Sequence, residues 1–193
     1  MQLHYTPRSH FARKVRLLLA GLQVDVDLID AGNAAEADPA RFGGNPLMKV
    51  PTLVDGQHWV VESDHIAAYL VRKLDPADRF DVLTTDVDAL NVRAVLNGVM
   101  SAEAELILAE RTGLDTRAHR RFDKMRAGID HGLAWLEDNH SLIPTASSYL
   151  TFHAIAMWDH LALYGMCERD CPRLRERISP CADIDFVAAS KPL

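Results

Sequence analysis

Two periods of apolar and polar residues run along this chain, and the change from one to the other divides it. Gln2-Leu-His-Tyr5 alternates as a short strand does, and Val24-Asp-Val-Asp-Leu-Ile29 alternates more clearly, predicting a half-buried strand. Between them Phe11, Val15, Leu18, Leu19 and Leu22 recur at helical spacing, with the helix ending at Gly21 or just after it. Strand, helix, strand predicts a parallel pair. Ala34 to Phe42 predicts a short, imperfect helix that Gly43-Gly44 breaks. Thr52-Leu-Val54, Asp55-Gly56 and His58-Trp-Val-Val61 predict a hairpin. Ile66, Ala67, Tyr69, Leu70 and Leu74 predict a helix from about Ser63 to Leu74, with Ser63 as its N-cap.

Beyond this point the pattern is helical throughout. Asp75-Pro-Ala-Asp-Arg-Phe80 holds a helix breaker and turn formers, so a linker is placed at 76–82. Long amphipathic helices are predicted over Val82 to Arg111 and Thr116 to His140, the second with Phe122, Met125, Ile129, Leu133 and Leu136 on one face. Ser148 caps a helix over Tyr149 to Gly165 that is apolar on most faces and therefore central. A shorter helix is expected near Pro172 to Ile178. Pro180 and the residues after it are expected to form a loop and tail, with a short helix at Asp185 to Ala189. The organisation is thus an α/β domain over 1–75, ordered βαβ then ββα as in thioredoxin, and an all-α domain over 83–193.

Composition narrows the function. The 193 residues are 48% hydrophobic and 25% charged, the balance of a globular protein. The net charge is −6, with no basic run, which argues against nucleic acid. No stretch approaches the ~20 apolar residues of a membrane span, and the first twenty residues lack a secretory pattern, so a cytoplasmic protein is expected. The cysteines, Cys167, Cys171 and Cys181, lack zinc spacing and form no even framework. Free thiols in a reducing compartment, without a metal, are expected.

The densest chemistry lies in Asn45-Pro-Leu-Met-Lys-Val-Pro-Thr-Leu-Val54 and Glu62-Ser-Asp64. Pro51 lacks an N–H and stands at the mouth of a strand, leaving the backbone of Val50 able to meet a ligand. X-Pro bonds are the ones that become cis at low cost. The helix start at Ser63 is a natural anion site. The ordered set NP-x-x-KVP-x-L, hairpin and ES-x-x-I-x-x-YL resembles the glutathione site of the glutathione S-transferase family. The turn text Arg8-Ser-His-Phe-Ala-Arg-Lys14 is similar to that of its bacterial, serine-type members, with His10 in place of the usual proline. The helical half resembles that family's C-terminal domain more loosely. There the Ser-x-x-Asp usual at the buried helix is here Ser148-Tyr-Leu-Thr151, a cap without the acidic charge.

The resemblance implies a cytoplasmic transferase, homodimeric, of the detoxification kind, that holds the glutathione thiolate for attack on a small hydrophobic electrophile. Glutathione is the implied co-substrate. Ser9 is the implied thiol activator, with N-cap as its plain structural role and Tyr5 as a rival placed by its strand position to pack instead. His10 is either a further donor or a surface residue at the helix start. No cysteine lies in this turn, which argues against mixed-disulfide chemistry. Lys49, Val50, Pro51, Glu62 and Ser63 are the implied glutathione contacts: the Val50 backbone for the cysteinyl part, Glu62 for the ammonium, Ser63 for the γ-glutamyl carboxylate and Lys49 for the glycine carboxylate. Asp64 and His65 are expected at the surface. Met100, Glu103, Ile107 and Trp158 are possible lining for the second substrate. His153, Asp159 and His160 are expected to be core or helix-end groups without a role. The alternative is a non-catalytic glutathione-binding or protein-interaction member of the same fold.

Overall fold

The computed structural model describes residues 1–192 and divides into two compact units, Met1–Leu83 joined by the segment from Asp185 onward, and Thr84–Ile184. The first unit holds four strands, β1 (Gln2–Tyr5), β2 (Asp27–Asp30), β3 (Thr52–Asp55) and β4 (His58–Val61), and helices α1 (His10–Leu22) and α2 (Ser63–Leu74). The sheet order is β2-β1-β3-β4, with β1 and β2 parallel and the other pairs antiparallel. This is the thioredoxin-like arrangement that the alternation of strand and helix predicts.

Leu3 and Leu53 from the sheet, Val15 and Leu19 from α1, and Ile66 and Leu70 from α2 form one buried cluster. Both helices therefore cover the same face of the sheet, and their apolar stripes are the reason they form. β2 differs from expectation. It begins at Asp27, and all four of its residues are exposed. The buried contribution of this stretch comes from Val24 and Val26, which precede the strand and pack against the core. The helix expected over 34–42 is a single 3-10 turn, Pro39–Phe42, capped by Asp38 and closed by Gly43 at positive φ. Gly21 lies inside α1, where a side chain would collide with the Phe80 ring at 2.7 Å, and Gln23 in the left-handed region ends the helix. The hairpin is tied to α2 by Asp55, which accepts from Tyr69 and Lys73; those bonds hold its carboxyl below the usual range.

The last segment belongs to the first unit. A short helix, α7 (Asp185–Ala188), is followed by Ser190, whose Oγ accepts from Arg13 Nε at 3.0 Å, while Arg13 Nη2 donates to the Val187 carbonyl at 3.4 Å.

The second unit is helical: α3 (Val87–Arg111), α4 (Asp123–Asp138), α5 (Tyr149–Leu163) and α6 (Pro172–Ala182). α3 starts five residues later than expected because Asp86 caps it through the Ala89 N–H. The stretch 116–122 is two 3-10 turns rather than the start of α4. α5 is central, as its all-round apolar surface predicts: from Tyr149 to Met157 every residue is buried. α6 continues through Pro180, where a loop was expected. Proline removes the N–H that would reach the Glu176 carbonyl, and the Ser179 hydroxyl donates to that carbonyl instead, at 3.0 Å.

The α5 cap closes without an acid. Ser148 Oγ accepts from the Thr151 N–H at 3.1 Å, and the Thr151 hydroxyl donates towards the Pro144 and Ala146 carbonyls at 2.9 and 3.0 Å. An aspartate lacks the proton to do this. Thr151→Val keeps the shape and orphans those carbonyls, so a loss of about 1–2 kcal/mol is expected in urea unfolding. An unchanged midpoint would contradict this account of the cap.

Candidate functional site

The sheet register gathers the sequence motifs at one end of the first unit. His4 pairs with Thr52, and Thr52 pairs with Val61. One residue beyond that row stand Tyr5, Pro51 and Glu62. The turn into α1 and the start of α2 therefore lie at the same sheet end as the Val50–Pro51 step, and both helices present their N-termini there. Aligned peptide dipoles and unfilled N–H groups make such an end attractive to anions.

Asn45 builds the loop that leads to Pro51. Its Oδ1 accepts from the Leu47 N–H at 2.9 Å, and its Nδ2 donates to the Lys49 carbonyl at 3.0 Å and to Thr52 Oγ1 at 3.2 Å. Thr52 Oγ1 donates to the same Lys49 carbonyl at 3.2 Å. Asn45 is buried, and an Asn that bonds its own backbone two residues on is a turn former. Sequence reading placed Asn45 in the motif but gave it no task. The signal was the Asn-Pro pair itself. The Val50–Pro51 bond is cis and Pro51 is buried. The N–H and C=O of Val50 meet no backbone or side-chain partner among the described residues. Lys49 is exposed at its side chain, although its carbonyl is fixed.

Helix α2 begins one residue earlier in role than expected. Glu62 is the N-cap, and Ser63 is the first helical residue. Ser63 is 3% exposed, and its N–H is one of the donors that a helix cannot satisfy internally. Glu62 is exposed and has φ of 70°, a left-handed value that non-glycine residues hold at a cost of ~1–3 kcal/mol and that clusters at ligand sites. Its side chain makes no capping bond.

Ser9 is the N-cap of α1. Its Oγ accepts from the Ala12 N–H at 3.1 Å. Accepting uses a lone pair, so the hydroxyl proton stays available to donate. Cap and thiol donor are thus compatible roles. Tyr5 is half-buried, with the Arg16 guanidinium 5.0 Å from its ring centre. His10 is buried, its ring 4.6 Å from that of Phe11, so the surface placement at the helix start does not hold.

Asp64 is also not a plain surface residue. Its Oδ1 accepts from Lys14 Nζ at 2.7 Å, and Lys14 is fully buried. This pair fastens α1, which carries Ser9, to the first turn of α2, which carries Ser63. Sequence reading missed it because lysine is among the residues least often buried.

Several polar residues of the second unit are buried in it. His153 is fully buried with Nε2 3.1 Å from Met100 Sδ. Glu103 is fully buried and meets His160 Nδ1 at 2.7 Å; burial pushes its carboxyl up against the opposing pull of that histidine. All three cysteines are free, and burial pushes the thiols up, to about 11 for Cys167 and Cys171, so they stay protonated at neutral pH. Among the described residues no helix is long and apolar enough to cross a membrane.

Residues 3–77 match the family model for the glutathione S-transferase N-terminal domain. No curated protein matches. Among solved structures, a glutathione S-transferase from Methylobacillus flagellatus KT with GSH bound is 20% identical, with a TM-score of 0.83 over 100% of this chain and 99% of that one. A glutathione transferase family member from Pseudomonas fluorescens Pf-5 with bound glutathione is 22% identical, also at 0.83, over 100% and 98%. A maleylacetoacetate isomerase from Methylobacterium extorquens AM1 with bound malonate and GSH is 21% identical at 0.72, over 100% and 97%. At these identities the likeness establishes the fold, over the whole chain.

Proposed function

We propose that the chain, whose residues 3–77 match the glutathione S-transferase N-terminal domain, binds glutathione and transfers it to a small hydrophobic electrophile. The observation that carries this reading is the unpartnered Val50 backbone beside Pro51, at the sheet end where two helices begin. Glutathione is a peptide with two carboxylates, an ammonium and a thiol. Its cysteinyl part has a backbone N–H and C=O that complement those of Val50 in a strand-like contact. The Ser63 hydroxyl and N–H take the γ-glutamyl carboxylate, Glu62 the ammonium, and Lys49 the glycine carboxylate.

The thiol has a pKa of about 8.5 when free, so only a small share is thiolate at neutral pH. Ser9 donates its hydroxyl proton in a hydrogen bond to the sulfur anion, and the α1 N-terminus adds its dipole. The thiolate then attacks an electrophilic carbon. A new S–C bond forms, and the electron pair leaves with a leaving group or moves onto the acceptor. Cytoplasmic location, a homodimer and a detoxifying role complete the reading, supported by the family and by free cysteines of the kind found in reducing compartments.

Ser9→Ala tests the catalytic part. The rate of conjugation to a model electrophile such as 1-chloro-2,4-dinitrobenzene is expected to fall about tenfold while the glutathione affinity stays near the wild-type value, the pattern of an interaction made mainly in the transition state. An unchanged rate would remove Ser9 from the mechanism. If the wild type binds glutathione but turns over no electrophile, the non-catalytic binding member is the better description, since the fold alone does not fix the chemistry.

A further inference from the structure

Arg13 and Lys14 are neighbouring cations of α1, and both are buried. Lys14 is tied to Asp64 of α2, whereas Arg13, 2% exposed, is tied to the far end of the sequence. Arg13 Nε donates to Ser190 Oγ at 3.0 Å, and Nη2 donates to the Val187 carbonyl at 3.4 Å. The Ser190 hydroxyl donates to that same carbonyl at 2.7 Å. Ser190 thus uses both capacities of its hydroxyl, accepting from the guanidinium through a lone pair and giving its proton to Val187.

The segment from Asp185 follows the helical unit in sequence, yet it is part of the first unit. Helices shorter than ~12–15 residues are marginal in water, so α7 owes its shape to what it packs against. Val187 is fully buried there, and the arginine bonds fix the backbone around it. The hold acts in both directions. A guanidinium keeps its charge, and burying it is costly unless acceptors meet it. Val187 and Ser190 meet it, and its planar fork leaves the side chain little freedom once they do.

The part of α1 held in this way is its first turn. Ser9 Oγ accepts from the Ala12 N–H at 3.1 Å, and the Ser9 carbonyl accepts from the Arg13 N–H at 2.8 Å. Arg13 is therefore bonded to Ser9 through its backbone and to Val187 and Ser190 through its side chain. We propose that the segment from Asp185 onward braces the thiol-activating turn, with Arg13 as a positioning residue that carries the hold to Ser9. The proposal rests on the reading of Ser9 as the donor to the glutathione thiolate.

Two readouts test it. Amide hydrogen exchange at Ala12 and Arg13 follows the hold on the turn with no ligand present. Ultraviolet absorbance of the thiolate titrates the sulfur of bound glutathione. In Ser190→Ala the two amides are expected to exchange about tenfold faster than in the wild type, the size expected for losing a hydrogen bond to a charged group. The bound thiol, held by Ser9 below its free value of about 8.5, is expected to move back towards that value. Arg13→Met is expected to produce both changes at larger size, and Ser190→Thr, which keeps the hydroxyl, to restore wild-type behaviour. A segment that only adds stability would lower the thermal midpoint and leave the thiol titration of the folded protein where it was. Unchanged exchange in Ser190→Ala and Arg13→Met, or a thiol titration that neither variant moves, would overturn the brace. A wild type that binds no glutathione would overturn the thiol reading itself, and the exchange rates would still decide whether the segment holds the turn.

Discussion

Replacing Asp64 by alanine is expected to lower the unfolding free energy by about 3 kcal/mol, the low end of what breaking a buried ion pair costs. Lys14 is fully buried, and its ammonium donates to Asp64 Oδ1 at 2.7 Å. An ammonium that keeps its charge after losing that carboxylate stays in a poor solvent. The low end applies because the Asp64 side chain is itself 26% exposed, so water offsets part of the loss. Asp64 also stands in the first turn of α2, where a negative charge suits the helix dipole. Lys14→Met offers the contrast: it deletes the buried charge, keeps the apolar stem and is expected to cost less than Asp64→Ala. Urea unfolding of the two variants measures both. If Asp64→Ala stays within about 0.5 kcal/mol of the wild type, or Lys14→Met is the more damaging change, the pair is not the fastening between the two helices.

Ser63→Ala is expected to weaken glutathione binding between about tenfold and a hundredfold, as loss of a hydrogen bond to a charged group does. Ser63 is the first residue of α2 and nearly fully buried, so a carboxylate that reaches it is sheltered from water and from competing ions. Two readouts separate this from a folding defect. The cap position of α2 is Glu62 rather than Ser63, and thermal unfolding of the variant measures directly whether the fold is kept. The affinity of the glutathione analogue lacking the γ-glutamyl residue should fall much less than that of glutathione itself. Equal losses for both ligands would place the serine elsewhere than at that carboxylate.

The parts of the fold set by period were legible in the residues. Val15 and Leu19 in α1, and Ile66 and Leu70 in α2, fall on one face by spacing alone, and they meet Leu3 and Leu53 in the core. The parallel pairing of β1 and β2 follows from the helix between them. What failed was set by local hydrogen bonds that no period records. Val24 and Val26 supply burial, yet the ladder itself begins at Asp27. Ser179 lets α6 pass Pro180 by taking the carbonyl that proline cannot reach. Asp86 fixes the start of α3 and leaves the residues before it outside the helix.

The candidate site divides in the same way. The resemblance to the family's motifs implied Ser9, Lys49, Val50, Pro51, Glu62 and Ser63, and the register of β1, β3 and β4 brings their segments to one end of the sheet. The sequence carried no sign of the positive φ at Glu62, which depends on how a strand must turn into a helix there. Nor did it show the burial of Lys14 and His10, which ordinary preference places near water. Asn45 is intermediate: the motif contained it, but its three bonds across the loop appear only once Lys49 and Thr52 are folded towards it.

Calorimetric titration of glutathione into the wild-type protein tests the central claim most directly. The account predicts saturable binding of one glutathione per chain at millimolar concentrations or below, competitive with an S-alkyl glutathione and weakened in Ser63→Ala. Absence of saturable heat at millimolar glutathione, in protein whose fold is verified by circular dichroism, would contradict it and leave the Val50–Pro51 end of the sheet without its proposed ligand.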